Sequence, residues 1–576
     1  MIDGIFKKLG NTQIAVSVTA SVAMIVDNIF IARFLGVQAV AAAGLITPVL
    51  MIVLAFSGVL SAGGQLVVGT KMGSGEREKA AGSASLCFAL VLLASFFAVF
   101  LTFGFTERIC IVLGAAPGSE LAENASAYLR GYVLGAPGII GMLSMVPLLN
   151  IDGDKKRSLT GAWVVTIGDV LLDVVAVLVF PGSLFAIALA SALSYLAGFL
   201  VICGHFLKKD DRFALKLRLR KIPWAESKQV FRLGFPAALQ KILRTALSFT
   251  VNRILLSVGG AVALAGFSIV SNIGNLLNSV GQGLSAATLT MAGVLYGERI
   301  KKSLSELYRS FVKYSVLWNL VIVLITLVFA EPLVGVFLSS KKVDVSAVVT
   351  GLRLFSLDFV FYSLCLCAKS YYQGIKRMRV NYLITVVEGY LCIAFFTWLF
   401  GRFFGFYGVC LGYGVGDAVS VLSIVLGVLV TEKRLPRKAD DFLLLQEDVL
   451  PEDRVFSSTL TGTEEIGSVC RKAGNFVKDL YGKDGGEGLA EKTSALVAAC
   501  ACNLPRQKKA SAEFHLICEN DSVTVLINDN VPGFSLADRL SEKPLAENPD
   551  TPAASASVEQ YRVLGINKTK VVLRKA

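Results

Sequence analysis

Apolar runs of bilayer-crossing length alternate with short polar loops over the first three quarters of this chain. They fall at 12–34, 44–70, 82–104, 125–149, 159–180 and 184–206, then at 229–256, 262–292, 306–330, 349–373, 380–400 and 406–430. The pattern predicts an all-α polytopic membrane protein of twelve transmembrane helices, with both termini on one side. After residue 435 the periodicity changes. Helical spacing covers 463–482 and 489–503, whereas EFHLIC, SVTVLIND and KTKVVLRK alternate like strands, with Glu519-Asn520-Asp521 as a turn. The expected organisation is a membrane unit at 1–435, a polar linker at 436–454 and a small α+β domain at 455–576.

The apolar pattern repeats. Shifted by 224 residues without a gap, Gly10 meets Gly234, Asn28 meets Asn252, Gly36 meets Gly260, Leu60-Ser61-Ala62 meets Leu284-Ser285-Ala286, Gly69 meets Gly293 and Gly73 meets Gly297. Two like-oriented six-helix halves, about 1–206 and 229–432, imply a pseudo-two-fold axis along the membrane normal. A site between such halves can face either side by rocking, which is a transporter architecture.

Composition agrees. The chain is 54% hydrophobic and only 17% charged, below the roughly 25% charged residues of soluble domains. Its net charge of +13 sits mainly in loops: one alternating set holds 24 Lys and Arg, the opposite set 5. The positive-inside rule therefore predicts a cytoplasmic membrane location with both termini and the tail in the cytoplasm, and it removes any need for a nucleic-acid partner. Lys7 and Lys8 precede an apolar run expected to be retained as the first span. Two histidines and scattered cysteines, several inside apolar runs, argue against a structural zinc site.

Within IGDVLLDVV, Asp169 and Asp173 stand four apart on one helix face. One aspartate at a helix centre costs ~3 kcal/mol on insertion scales. Two close carboxylates in low dielectric do not both ionise, so the pair is suited to hold a proton or to help ligate a cation. The alternative is a buried structural pair satisfied by arginine or backbone donors. In the second half, Gln240, Lys241 and Arg244 lie in the seventh span, with Lys241 expected to snorkel. Glu388 is buried in the eleventh span, able to recognise a cationic substrate, relay protons or cap a local arginine. Asn272, Asn275 and Asn278 recur on one face of the eighth, lining a polar cavity or joining helices. Asp358 and Asp417 are expected nearer span ends, and the second half is expected to carry no counterpart of the aspartate pair.

VDNIFIARFLG at 26–36, followed by GLITPVL and LSAGGQLVVGTKMGSGE, resembles the opening of multidrug and toxic compound extrusion (MATE) transporters. LGFPAALQKILRTALSFTVNRILLSVGG at 233–260 resembles the start of their second half. The resemblance implies an ion-coupling site of Asp27, Asp169, Asp173 and Ser191, with aspartate at 169 in place of the usual asparagine and serine at 191 in place of threonine. It also implies H⁺ or Na⁺ as the coupling ion, the latter held by Asp27, Asp169 and Asp173, and neither cofactor nor enzyme activity. The tail resembles the histidine-kinase-like ATPase fold. LINDNVPGF at 526–534 is similar to that family's Asp-x-Gly-x-Gly box, with Asp529 in the adenine-contacting position and Gly533 in the glycine region. TSALVAACACN replaces the helix that carries a catalytic Glu and a metal-binding Asn, and a Pro/Ala/Ser-rich 543–557 replaces the glycine-rich lid. A pseudo-enzyme or a nucleotide-free interaction module, open to a cytoplasmic protein partner, is therefore expected, with residual nucleotide sensing as the alternative.

The expected function is a secondary antiporter, moving small organic, multidrug-type cations out of the cell from within a lipid bilayer. A flippase for an anionic lipid-linked substrate, favoured by Lys241 and Arg244, is one alternative. A membrane receptor signalling through the tail is another.

Overall fold

The computed structural model describes residues 1–35, 37–207, 215–218, 222–337, 344–445, 449–460, 466–481, 483–502, 512–519, 522–529 and 556–574. Helices α1 (Ile2–Phe30), α2 (Val37–Gly73) and α3 (Arg77–Val112) form the first three spans. The fourth is broken into α4 (Glu120–Val133) and α5 (Ala136–Ile151), which meet at 47°. Pro137 enters α5 in its first turn, where its missing N–H has no helical partner to lose. Then come α6 (Lys155–Val179) and α7 (Leu184–Phe206).

The second half repeats this order. Helix α8 (Ser227–Glu298) holds the seventh and eighth spans, divided at Gly260, whose φ of 62° and ψ of −153° lie where only glycine fits. Helix α9 (Lys301–Phe337) follows, and the tenth span is broken into α10 (Val345–Phe355) and α11 (Asp358–Gly374). The eleventh begins as α12 (Met378–Val386), passes through a π-turn at Val387–Leu391 and enters α13 (Cys392–Ser420). Gly405, at φ 62° and ψ −138°, turns α13 into the twelfth span, which α14 (Leu422–Glu432) completes. By length and composition eight helical stretches among the described residues can cross a membrane, nine with the bent fourth span. Ser227–Glu298 is not among these nine; adding its two arms on either side of Gly260, and dividing Met378–Glu432 at Gly405, yields the twelve expected.

The halves meet through reciprocal glycine contacts. A Cβ on Gly73 would lie 1.9 Å from the Val294 carbonyl oxygen, and one on Gly297 would lie 2.1 Å from that of Thr70. Val294 is Thr70 shifted by 224 and Gly297 is Gly73 shifted by 224, so each contact is the other rotated about the pseudo-two-fold. Gly63 against Val230 and Gly234 against Val59 continue the seam, and Thr290 donates to Gln65 Oε1 at 3.0 Å. All of these lie in the part of the bundle nearer the tail, where backbones approach too closely for any side chain.

The tail is a five-stranded antiparallel sheet in the order β1-β2-β3-β5-β4, built from β1 (Val455–Leu460), β2 (Ala512–Glu519), β3 (Ser522–Asp529), β4 (Ala556–Val563) and β5 (Ile566–Arg574). Helices α15 (Ile466–Tyr481) and α16 (Lys483–Cys502) cover one face, packing Val469, Ala473, Val477 and Val497 onto Phe514, Leu516, Val525 and Val571. The second helix starts six residues before its sequence-based limit. Away from these helices the sheet packs on the membrane unit: Ile517 and Leu526 bury Ile300, and Val563, Leu564 and Ile566 join the main bundle core.

Candidate functional site

Asp27, Asp169 and Asp173 come together. Each offers one carboxylate oxygen, and the three oxygens lie within 4.8 Å of one another. Asp169 and Asp173 are 1% and 0% exposed on α6, and Asp27 is half-buried on α1. The four-residue spacing on α6 presents both carboxylates to α1, as one helix face requires. From α7, the Ser194 hydroxyl donates to Asp169 Oδ1 at 3.1 Å and is also directed at the Ser191 carbonyl, 2.8 Å away. Ser191 is buried one turn away. The sequence reading thus finds the three acids and Ser191 but misses Ser194, whose signal is its three-residue spacing from Ser191 in ALASALS.

No arginine or lysine among the described residues pairs with this cluster. Asp27 Oδ1 and both Asp173 oxygens are buried without a hydrogen-bond partner. The structural alternative raised by the sequence required such donors, and they are absent among the described residues. At an effective dielectric of about 20, two carboxylates about 5 Å apart repel by about 3 kcal/mol. A proton or a small hard cation meeting these oxygens would remove that repulsion and satisfy the orphaned atoms. The donor set, oxygen only, fits Na⁺ as well as H⁺.

The second half also holds a buried charged cluster, drawn from the seventh, tenth, eleventh and twelfth spans. Glu388, wholly buried in the π-turn of the eleventh span, accepts from Lys369 Nζ at 2.9 Å and pairs with Arg244 of the seventh. The Arg244 guanidinium also lies over the Tyr362 ring, 4.8 Å from its centroid. Asp358 and Asp417 are 1% and 0% exposed rather than near span ends. Asp358 opens α11 at the break in the tenth span, which places a nominal helix end deep inside the bundle. Asn278 donates to its Oδ2 at 3.1 Å, while both Asp417 oxygens are buried without a partner. No aspartate pair stands at the repeat-related positions, which are Ile393 and Thr397; Asp358, Glu388 and Asp417 instead sit on three different spans, where no single-helix spacing reveals that they gather.

The remaining candidates separate. Asn272 and Asn275 are exposed, and of the three asparagines only Asn278 is buried. An i, i+3, i+6 series drifts around a helix of 3.6 residues per turn, so the three do not share one environment. Gln240 is half-buried and Lys241 exposed. In the tail, Asp529 is 2% exposed and accepts from Asn567 Nδ2 at 2.9 Å, while Gly533 lies outside the described residues. His205, at the end of α7, has its two ring nitrogens 2.9 and 3.0 Å from carboxylate oxygens of Asp154 and Asp152, a constellation the sequence reading did not single out.

A family model described as MatE matches residues 13–175 and 236–399. A probable multidrug resistance protein NorM from Thermotoga maritima is 26% identical over 289 residues, which cover 49% of this chain and 61% of that one. A multidrug export protein MepA from Staphylococcus saprophyticus is 21% identical over 414 residues, 71% of this chain and 89% of that one. Among solved structures, an outward-facing multidrug resistance MATE family transporter of the MOP superfamily superposes with a TM-score of 0.70 at 21% identity, covering 74% of this chain and 96% of that one. A MOP superfamily transporter from Pyrococcus furiosus, described as having a binding pocket of reverse polarity that suggests a different function, gives 0.69 at 22% identity with the same coverage.

Proposed function

The chain belongs to the MATE family of transporters, and from that premise we propose that it is a secondary antiporter exporting small organic cations in exchange for H⁺ or Na⁺. MATE proteins are multi-pass membrane transporters rather than enzymes, so the question is what drives this one. The observation that carries the reading is the first-half cluster: three carboxylates within 4.8 Å, with Asp173 buried and both its oxygens without a partner. Such a group is stable only with its charge compensated. A compensating ion taken from one side and released on the other couples its gradient to the rocking of the halves.

Sidedness follows from loop charge. The loop set richer in Lys and Arg, with the tail and both termini, is assigned to the cytoplasm. The glycine seam at Gly73 and Gly297 then closes the cytoplasmic end, which makes this an outward-facing arrangement. In that state Asp27, Asp169 and Asp173 take up an external H⁺ or Na⁺, and its binding favours reopening toward the cell interior. The exposed Asn272 and Asn275, with half-buried Gln240, are assigned to the substrate passage, while Glu388 is held by Arg244 and Lys369.

That pairing weighs against the flippase alternative, because Arg244 is engaged by Glu388 and only Lys241 is left exposed for an anionic headgroup. For the tail we favour a histidine-kinase-like module without hydrolysis. Asp529 is tied to Asn567, and by the resemblance Ala498 lies near the position of the metal-binding asparagine. Such a module would serve contacts, with this chain or with a cytoplasmic protein partner. Purified protein should release no phosphate from Mg-ATP. Proteoliposomes under crossed Na⁺ and pH gradients, tested with cationic and anionic substrates, should move the cation against one of the two ions. No gradient-dependent flux of any cation would overturn the antiporter reading.

A further inference from the structure

We propose that the β4–β5 hairpin of the tail is a latch that holds the cytoplasmic gate shut and must leave one half before the gate opens. The hairpin turns through Leu564 and Gly565 at φ 55° and 82°, with Val563 paired to Ile566. Positive φ at both turn residues is the geometry that favours Asn-Gly, and a leucine in the first position is strained there. Here it is 3% exposed and donates its N–H to the carbonyl of Ile151, the last residue of the fourth span, at 2.8 Å. A strained apolar residue at a hairpin tip fits a tip that is seated in a socket. The socket is tight, since a Cβ on Gly153 would lie 2.7 Å from the Gly565 nitrogen.

The same two strands grip both halves at the gate itself. On the first half, Lys570 Nζ donates to the Ser74 carbonyl at 3.0 Å, and Arg77 donates to the Gln560 carbonyl at 2.8 Å. The Arg77 guanidinium also lies 5.9 Å from the Tyr561 ring centroid. On the second half, Lys568 forms an ion pair with Glu298 in which both side chains are 3% exposed. Ser74 and Glu298 each follow the seam glycines Gly73 and Gly297 by one residue. The hairpin therefore ties together the ends of the second and eighth spans, the elements that separate when the bundle opens inward. A segment that binds both halves only while they touch shifts the equilibrium toward the outward-facing state by its own binding free energy. Breaking a buried ion pair leaves an uncompensated charge, so either half of Lys568–Glu298 is enough to weaken it.

The latch rests on the transport reading only in that the gate must open; its test needs neither substrate nor ion gradient. Val294, 0% exposed at the seam, is replaced by cysteine in the full chain. Its labelling by a membrane-impermeant maleimide is followed in inside-out vesicles, with the chain lacking V294C as background. In the V294C chain, K568E and E298K should each raise the labelling rate on the order of tenfold. The charge-swapped E298K/K568E should return it to within about twofold. R77A, which leaves the tail sequence intact, should also raise it and thereby separates release of the latch from misfolding of the tail. Unchanged labelling in K568E and E298K, or a swap that labels as fast as they do, would overturn the latch. A chain that labels faster when unlatched yet moves no cation would leave the latch standing and remove the antiporter.

Discussion

Replacing Asp173 with asparagine separates a coupling role from a structural one, because the two predict opposite effects on stability. Asp173 is 0% exposed and neither oxygen has a partner, so the substitution breaks no hydrogen bond among the described residues. It replaces one of the three carboxylates whose oxygens gather within 4.8 Å by a neutral amide. With each close carboxylate pair repelling by about 3 kcal/mol, the charge-compensating ion gains about that much from Asp173 for each neighbour it faces. Losing even one such contribution weakens the coupling ion by about two powers of ten, which is the least effect expected with two neighbours. Thermal unfolding should show D173N at least as stable as the parent, since a neutral amide is cheaper in a bilayer than a carboxylate. Efflux of a fluorescent cation from proteoliposomes under the driving gradient should fall by about a hundredfold or more at subsaturating ion. Parent-like efflux with the same ion dependence would refute the reasoning. So would a loss of several kcal/mol in stability, which would mark Asp173 as a structural group.

Three further outcomes follow from other sites. E388Q leaves Arg244 and the 5%-exposed Lys369 side chain without their carboxylate, so it should destabilise by about 3–5 kcal/mol in thermal unfolding, the reverse of D173N. Burial opposes the charge on Asp154, but hydrogen bonds from His205 and the Arg157 amide outweigh it and hold the carboxyl below its ordinary value. The stability it adds is therefore present above about pH 4 and is lost as pH falls through its lower folded value. D154N should cost about 1–2 kcal/mol at neutral pH, and the gap to the parent should close in acid unfolding titrations. G73A and G297A each place a Cβ about 2 Å from a facing carbonyl, so both should raise Val294→Cys labelling to a similar extent. A large effect from one alone would break the symmetry argument.

What could be read ahead of the structure was whatever one helix or one repeat records locally. The twelve apolar runs, the 224-residue shift and the four-residue spacing of Asp169 and Asp173 are of this kind, and Asp27 joined them through resemblance. Asp358 and Asp417 were undervalued because their depth depends on a break in the tenth span and on packing between spans. Lys369 carried a signal that went unused: a lysine inside CLCAKSYY must find a carboxylate, and it finds Glu388. The docking of the tail was illegible in principle. Leu564-Gly565 reads as an ordinary turn until Ile151 and Gly153 are seen beneath it.

The reciprocal contacts of Gly73 with Val294 and Gly297 with Thr70 have the form of a homodimer interface. In a true homodimer every substitution appears twice, so gate and binding sites would be bound to change together. Joining the two copies into one chain lifts that constraint. This protein keeps its seam two-fold while its charged clusters have diverged, with no cation paired to the acids of the first half among the described residues and Glu388 pinned by Arg244 and Lys369 in the second. Covalent linkage thus permits one moving part to stay symmetric and the sites it serves to specialise.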